Sequence, residues 1–502
     1  MRKKRTINNI IFGFGTQVII IVLGLFIPRL VMLNYGSDTN GFTATVQQIF
    51  TYMALLEAGI GQSTLNSLYE PVAKNDRLSI SQRMSASRSY YRTVTRWYAA
   101  LVIVMSVVLP FILNTNINKV VAGSVVFFEG MSAVICFYFF ACWKQLLAAD
   151  GRNYIVQIIT MINSVLGYAI KIILVYLQVN IGVIQFAFFI LSLVQLFIYH
   201  SYTQRKYAWV DFNATPDSVA LKDRKAFMIT QVASTVFSST DMIVLSIIGS
   251  TALASVYSIY GLIFNNLVKV LNAIYFGVIF VLGQTWQKDK DEYVYMHDAF
   301  DIGTHWLITS TMAVAYIMTI PFVSLYTKGV NDIQYIYSAL PILFCLVQIF
   351  SWNRYVNGNL TAIAGYAKPV SKVSAIEAFL NLSLSIILGL KFGIVGVLFA
   401  TMIALPIKII YCTYLSNKVI LKRSVWPSIK IIATNYLLFG CAVLYTYINP
   451  VGAESFKQFI IYTLLVCIVI YPVFAIVNIL LAPKLIKHYS PLIKRKFKIK
   501  SK

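Results

Sequence analysis

The stretch of sequence that decides the fold is INNIIFGFGTQVIIIVLGLFIPRLVML, residues 7–33, which contains a single charged side chain, Arg29, near its end. A membrane-spanning helix needs about 20 mainly apolar residues, so this stretch is long enough to cross a bilayer. It follows a basic start, residues 2–5, but its apolar run is too long for the core of a signal peptide and no small-residue cleavage motif follows. We therefore predict an uncleaved first helix.

Similar apolar stretches recur along the whole chain. Hydrophobic residues make up 58% of the 502 residues and charged residues 12%, against roughly a quarter charged in soluble domains. The sequence therefore predicts an all-α polytopic membrane protein with about fourteen transmembrane helices, short loops and no separate soluble domain. The predicted spans lie near residues 7–33, 42–69, 97–113, 121–147, 154–177, 181–200, 226–249, 251–282, 302–325, 335–360, 371–390, 392–415, 431–449 and 458–482.

The distribution of basic residues gives the orientation. The net charge of +24 comes from 42 Lys and Arg against 18 Asp and Glu, which in a soluble protein would suggest a nucleic-acid partner. Here 32 of the 42 fall in segments that the assignment places in the cytoplasm, 4 fall outside and 6 lie within or at the edges of spans. This is the bias expected of a multi-pass membrane protein with both termini cytoplasmic. We expect membrane lipids, and no nucleic acid, as partners.

Two pairs of short segments indicate an internal repeat. Residues 33–37 and 246–250 close the first and seventh spans, 213 positions apart, and residues 148–152 and 364–368 follow the fourth and tenth spans, 216 apart. They predict two six-helix pseudo-repeat bundles in the same orientation, as in transporters built from parallel repeats. We place these bundles at residues 1–205 and 206–425, and a C-terminal helix pair with a basic cytoplasmic tail at residues 426–502.

Catalytic and cofactor motifs are absent from the sequence. It has no phosphate-binding loop of the type found in ATP-driven pumps. The six cysteines lie in apolar runs without zinc spacing, and the four histidines are not paired at metal-binding intervals. We therefore predict no cofactor and no metal site, and a protein that is not an enzyme. A membrane-embedded glycan polymerase or glycosyl transferase stays open as a less favoured alternative, because the predicted outer loops are too short to hold a sugar substrate.

Basic side chains at membrane depth are the main candidates for substrate contacts, because such groups are costly in hydrocarbon and usually face a partner or a watery cavity. Lys171 lies on a stripe at helical spacing with small and polar residues, and Lys269 lies near the middle of its span between asparagines. Arg354 also has polar neighbours. The competing explanation for each is a side chain that reaches back to the interface, and we favour that explanation for Lys408.

Acidic side chains at membrane depth have two interpretations. Glu57, Asp241 and Glu377 each lie on a stripe of small or polar residues at helical spacing. They are predicted either to bind a proton or cation for ion coupling or to pair with the buried basic residues. Glu129 is interpreted as a structural partner.

The N-terminal third resembles the bacterial polysaccharide flippases, the exporters of O-antigen and capsule repeat units in the MOP superfamily. The residues that carry the resemblance are the basic start, Pro28-Arg29-Leu30, Tyr35-Gly36-Ser37, Asn40-Gly41-Phe42, Leu55-Leu56-Glu57-Ala58-Gly59-Ile60-Gly61, Leu68-Tyr69-Glu70-Pro71 and Ala149-Asp150-Gly151-Arg152. The family's recurrent arginine before the first outer loop carries over to Arg29.

The resemblance implies a MATE-like fold in the bacterial cytoplasmic membrane. It also implies a flippase that moves undecaprenyl-pyrophosphate-linked oligosaccharide repeat units by alternating access through a cationic cavity. Basic side chains suit a pyrophosphate because they form charge-assisted hydrogen bonds with it. The glycan polymerase and glycosyltransferases of the same pathway would then be partners. The C-terminal helix pair resembles the lipid II flippase branch, so a lipid II type flippase remains an alternative, as does a cation-coupled multidrug exporter.

Overall fold

The structure is a computed structural model that describes residues 2–53, 55–217, 235, 240–483 and 485–489. Within the helices, some side chains also lie outside the described residues, among them those of residues 2–11 and 55–59. The predicted seventh span, residues 226–249, is therefore described only at its end, and the side chain of Glu57 is not described.

The described residues form helices and connecting turns, without a β-strand. Eleven of the helices are long and apolar enough to cross a membrane, so the predicted all-α polytopic membrane fold is confirmed. In chain order the helices are α1 (Arg2–Met53), α2 (Leu55–Lys74), α3 (Arg77–Ile112), α4 (Lys119–Ala149), α5 (Asn153–Tyr176), α6 (Ile181–Tyr207), α7 (residues 240–248), α8 (Thr251–Lys288), α9 (Lys290–Tyr326), α10 (Ala339–Ile363), α11 (Ala367–Tyr414), α12 (Trp426–Ile448) and α13 (Phe456–Leu480).

Two of these helices are each broken at one glycine, where the sequence predicts a boundary between two spans. Gly36 interrupts α1 with φ 82° and Gly393 interrupts α11 with φ 55°. Both values lie in the left-handed region that only glycine enters without strain. After the first break, the Ser37 backbone N–H and hydroxyl both donate to the carboxylate of Asp332 at 2.6 Å. The carboxylate thus supplies a hydrogen-bond acceptor for a backbone N–H at the start of the new helical segment.

Helix α3 begins much earlier than the predicted span at residues 97–113. Asp76 caps its start by accepting hydrogen bonds from the Ser79 backbone N–H and hydroxyl. The first turns of the helix bury Met84 and Tyr91 against α2, α4 and α6. Most of their other residues are polar or basic, so a search for apolar runs finds only the membrane part of this amphipathic helix.

The chain forms two compact units. Unit 1 comprises Met1–Ser258 with Gly329–Ile333, and unit 2 comprises Ile259–Lys328 with Gln334–Lys502. Two apolar clusters of unit 1 lie where α3 and α4 pack with α2 and α6, and in unit 2 α9 packs against α10, α12 and α13. The predicted division at residues 205 and 425 stays a prediction.

The turns after α4 and α10 have the same geometry, as the predicted repeat requires of corresponding positions. Gly151 follows α4 with φ 69° and Gly365 follows α10 with φ 86°. In each turn, the residue after the glycine donates its backbone N–H to a carbonyl oxygen of the preceding helix, at 2.8 Å. The observed turns align Gly151 with Gly365, 214 positions apart, which shifts the predicted register by two residues.

Gly41 permits a very close helix contact inside unit 1. A Cβ atom at this position would lie 1.6 Å from the Thr251 carbonyl oxygen and 2.7 Å from the Ser255 backbone nitrogen. Beside it, the Asn40 side chain donates to the Ser255 hydroxyl at 2.8 Å. Small residues allow membrane helices to approach in this way. The glycine therefore fixes how α1 packs on the start of α8.

We expect Gly41→Ala to destabilise the protein by about 3 kcal/mol or more, because the methyl group would collide with backbone atoms that cannot move away as a side chain would. Thermal unfolding of the detergent-purified protein measures this effect. Gly440→Ala in α12 is the matched control, since a Cβ atom there meets nothing within 4 Å. Equal melting temperatures for the two variants would contradict the assignment.

Candidate functional site

An ion pair within unit 2 joins α10 to the first half of α11. The Arg354 Nη1 atom lies 3.2 and 3.3 Å from the two carboxylate oxygens of Glu377. The side chain of Glu377 is 2% exposed and that of Arg354 is 16% exposed. A carboxylate this buried in a membrane helix requires such a partner. The structure therefore brings together two predicted site residues, one basic and one acidic.

A second cation lies beside this pair. Lys408, on the second half of α11, is half-buried and interacts electrostatically with both Glu377 and Arg354. The two halves of α11 also meet through Asn381, whose side-chain amide donates to the Thr401 hydroxyl at 2.7 Å. Lys408 therefore joins the candidate site, where the sequence analysis had favoured a side chain that reaches the interface. With all three groups ionised, the two cations and one carboxylate carry a net charge of +1.

Polar groups continue along α10 next to Arg354. The Asn357 side-chain amide donates to the Thr413 hydroxyl at 3.3 Å, whereas its Oδ1 atom is buried and has no hydrogen-bond partner among the described residues. An unsatisfied buried acceptor is costly, typically about 1–3 kcal/mol. Such groups are often found where a water molecule or ligand completes the hydrogen bonding. We refer to Arg354, Glu377, Lys408 and Asn357 as the α10–α11 cluster.

In unit 1, a basic residue interacts with an acidic residue on a neighbouring helix, without a direct ion pair of the kind seen at Arg354 and Glu377. Lys171 on α5 interacts electrostatically with Glu129 on α4, and its Nζ atom lies 5.5 Å from the centre of the Phe188 ring. Glu129 also accepts a hydrogen bond from the Gln185 side chain. The partner role that the sequence analysis gave to Glu129 agrees with these contacts.

The other candidates in unit 1 lie on other helices than this pair, namely α1, α2 and α7. Asp241 on α7 is 8% exposed and accepts a hydrogen bond from the Tyr257 hydroxyl at 3.2 Å. It therefore contributes to the packing of α7 on the start of α8. Arg29 lies half-buried in α1. Glu57 lies in α2, and its side chain is outside the described residues.

Lys269 differs from the other basic candidates because its side chain is exposed. It lies on α8 in unit 2, and its Nζ atom donates to the Asn266 side-chain oxygen at 3.2 Å. An exposed ammonium group at the middle of a predicted span requires water or an anionic ligand in the membrane. Its role in substrate contact therefore stays a prediction.

The structure also reveals a buried histidine–aspartate pair that the sequence analysis did not single out. On α9, His305 Nδ1 lies 3.1 Å from Asp301 Oδ1, and both side chains are 1% exposed. The Ser428 hydroxyl of α12 donates to Asp301 Oδ2 at 3.1 Å. The signal in the sequence was the spacing of His297, Asp301 and His305, four residues apart on one helical face.

The fold resembles solved structures of membrane transporters. A structure described as lipid II flippase MurJ, in an inward closed conformation, superposes with a TM-score of 0.70 at 16% sequence identity, covering 96% of this chain and 100% of that one. An inward-facing multidrug resistance MATE family transporter of the MOP superfamily gives 0.64 at 15% identity, covering 79% and 93%. A MOP superfamily transporter from Pyrococcus furiosus, described as having a binding pocket of reverse polarity, gives 0.57 at 14% identity, covering 84% and 97%.

Comparisons based on sequence alone do not identify a family for this chain. No protein-family model matches the chain, and no curated protein matches it. At these identities the superpositions establish the fold and leave the cargo open. The chain therefore has the multi-pass helical fold shared by the MurJ flippase and the MATE transporters of the MOP superfamily.

Proposed function

We propose that the protein is a flippase that moves undecaprenyl-pyrophosphate-linked oligosaccharide repeat units across the bacterial cytoplasmic membrane by alternating access through a cationic cavity. The observation that carries this proposal is the composition of the α10–α11 cluster, in which two cations share one carboxylate. A pyrophosphate crossing a region of low dielectric constant needs compensating positive charge, and the surplus cation offers it.

The substrate contacts in this proposal are Arg29, Lys171, Lys269 and Arg354, to which the structure leads us to add Lys408. Each paired cation would exchange its carboxylate for a phosphate oxygen when the substrate arrives. The free carboxylate could then take up a proton or a cation. This exchange gives Glu377, and by analogy Glu57 and Asp241, a role in ion coupling or charge pairing.

The setting of the proposal follows from the distribution of basic residues. Both termini would lie in the cytoplasm, where the glycosyltransferases of the pathway make the substrate, and a glycan polymerase would use the product on the other side. The chain itself would carry out no chemical step. Its partners would be the lipid-linked oligosaccharide and the surrounding lipids.

A lipid II type flippase is the second candidate. The similarity to the MurJ structure covers 96% of this chain, which is possible only if most of residues 426–502 are included. Two MATE transporter structures cover 79% and 88% of it. A multidrug exporter is the third candidate, and the surplus of positive charge in the α10–α11 cluster argues against a cationic drug as cargo.

The transport assay uses proteoliposomes that carry a labelled undecaprenyl-pyrophosphate oligosaccharide in one leaflet. We expect the wild-type protein to expose the label in the opposite leaflet and Lys269→Glu to abolish this movement, because the new carboxylate repels the pyrophosphate. Lys457→Glu, an equal change of charge at an exposed residue of a predicted outer loop, should transport normally.

Three results would contradict parts of the proposal. Wild-type rates in Lys269→Glu would remove that residue from the site. Faster movement of lipid II than of the oligosaccharide lipid would favour the second candidate. A lengthened glycan that stays in its original leaflet would identify an enzyme instead.

A double-mutant cycle tests the pair of Arg354 and Glu377. Removing Glu377 leaves two cations without a carboxylate, so we expect Glu377→Met to destabilise the protein by about 3 kcal/mol. Arg354→Met should cost less, because Lys408 still compensates the charge of Glu377. The double variant should be less destabilised than the sum, because neither charge then remains. Thermal unfolding in detergent measures all three variants.

The exposed pair of Lys74 and Glu70, at 2.7 Å, is the control for this cycle. Its single and double variants should not change the melting temperature measurably, since solvent screens the interaction. Additive losses at Arg354 and Glu377 would show that the two side chains act independently.

A further inference from the structure

Three arginines near the middle of α3 line one cavity in unit 1. Arg88, Arg92 and Arg96 follow one another at four-residue intervals and therefore lie on one helical face. Together with residues 212–216, which follow α6, they line a cavity of about 440 Å³. Ser89 and Thr93 add hydroxyl groups to its lining. The cavity thus combines three cations with neutral hydrogen-bonding groups.

A second, apolar cavity of about 550 Å³ adjoins the first, and Arg88 and Phe212 line both. Its walls come from α4 and α6 and are mainly aromatic and aliphatic. Phe139 and Phe197 in these walls are 48% and 70% exposed. In a membrane-spanning helix, exposed apolar side chains face the acyl chains, so this cavity is open to lipid.

Two of these arginines lie close to aromatic rings. The guanidinium carbon of Arg88 lies 4.2 Å from the centre of the Phe212 ring, and that of Arg92 lies 5.2 Å from the Tyr138 ring. The charged group that acts most strongly on Arg88 is Arg92, another cation. The buried Arg92 Nε atom has no hydrogen-bond partner among the described residues.

Arg83, on the same helix, provides a contrast. Its Nε atom lies 3.4 Å from the Asp217 carboxylate, so an acidic residue balances the cation one turn before Arg88. Orientation in the membrane requires only that basic residues stay in the cytoplasm. It does not explain a cavity in which three arginines line one wall beside an apolar opening to lipid.

The depth of the cavity in the membrane is indicated by Trp97. This residue follows Arg96 directly and is 75% exposed. Exposed tryptophans at the ends of membrane helices usually lie at the level of the lipid headgroups. Arg96 and its cavity therefore lie where phosphate groups lie, and the apolar cavity can receive a chain from the same lipid.

We propose that the cavity lined by Arg88, Arg92 and Arg96, with the adjoining apolar cavity, binds an anionic glycerophospholipid of the surrounding leaflet. The arginines bind the phosphate and one acyl chain enters between α4 and α6. Arginine suits this role because its planar group forms paired hydrogen bonds with phosphate oxygens. The proposal does not depend on the cargo that the protein transports.

The size of the polar cavity favours a phospholipid over the glycan-bearing lipid. About 440 Å³ is at the small end of the range for ligand sites, roughly 300–1,000 Å³. This volume suits a phosphate with a glycerol group. A polyprenyl pyrophosphate shares the phosphate chemistry, so the experiment includes it as a separate arm.

The test measures binding of fluorescent dioleoyl phosphatidic acid to the detergent-purified full chain. We expect the triple variant Arg88→Gln, Arg92→Gln, Arg96→Gln to bind about a hundredfold more weakly, which corresponds to ~3 kcal/mol. The control variant Lys74→Gln, Arg205→Gln, Lys206→Gln removes the same charge from exposed positions of unit 1, and it should bind within about threefold of wild type.

A second variant tests the apolar cavity without changing charge. Leu193 lines this cavity and is 39% exposed, so Leu193→Trp should fill the space without disturbing the core. We expect it to weaken phosphatidic acid binding. The inhibition constant of inorganic pyrophosphate as a competitor should equal that of the wild type. A melting temperature equal to that of the wild type shows that each variant is folded.

Four outcomes would overturn the proposal. They are wild-type affinity in the triple arginine variant, an equal loss in the charge control, equally tight binding of dioleoyl phosphatidylcholine, and an unchanged affinity in Leu193→Trp. Displacement of phosphatidic acid by a polyprenyl pyrophosphate at much lower concentrations would assign the site to that lipid instead. None of these measurements involves transport, so they stand apart from the flippase assay.

Discussion

A charge inside the hydrocarbon layer must have a partner, and most of the polar architecture of this protein follows from that constraint. Arg354 pairs with Glu377 in unit 2, and Lys171 interacts with Glu129 in unit 1. Neither pair is needed for the helices to form. In each case, removing one side chain should destabilise the protein more than replacing both by apolar residues. The residue at one position therefore restricts which residue the other position tolerates. The additional cation in unit 2, Lys408, makes the pair of Arg354 and Glu377 a candidate binding site and not only a structural ion pair.

Much of the fold could be predicted because apolar runs of the right length have few alternatives. The predicted span at residues 121–147 became Lys119–Ala149, and that at 154–177 became Asn153–Tyr176. The predicted boundaries are wrong for helices that continue beyond the predicted membrane span. The span predicted at 302–325 is part of Lys290–Tyr326, since its first turns carry charged and histidine residues that a hydropathy pattern excludes.

The candidate site was less predictable because its contacts join distant parts of the chain. Helical spacing places Glu377 and Asn381 on one face, but it cannot say that Arg354 on another helix reaches that carboxylate. Lys408 shows the limit clearly. Few polar residues share its helical face. The packing of the two halves of α11, seen in the hydrogen bond of Asn381 to Thr401, brings it within electrostatic range of the pair.

The break at Gly36 has a consequence for the order of assembly during synthesis. The carboxylate that anchors Ser37 belongs to Asp332, which the ribosome adds almost three hundred residues later. The part of unit 1 up to Ser258 can pack early, but its bend at Gly36 stays without this anchor until the connection after α9 has been made. Maturation of the N-terminal unit therefore finishes late, and a polypeptide that stops before residue 329 lacks the group that completes it.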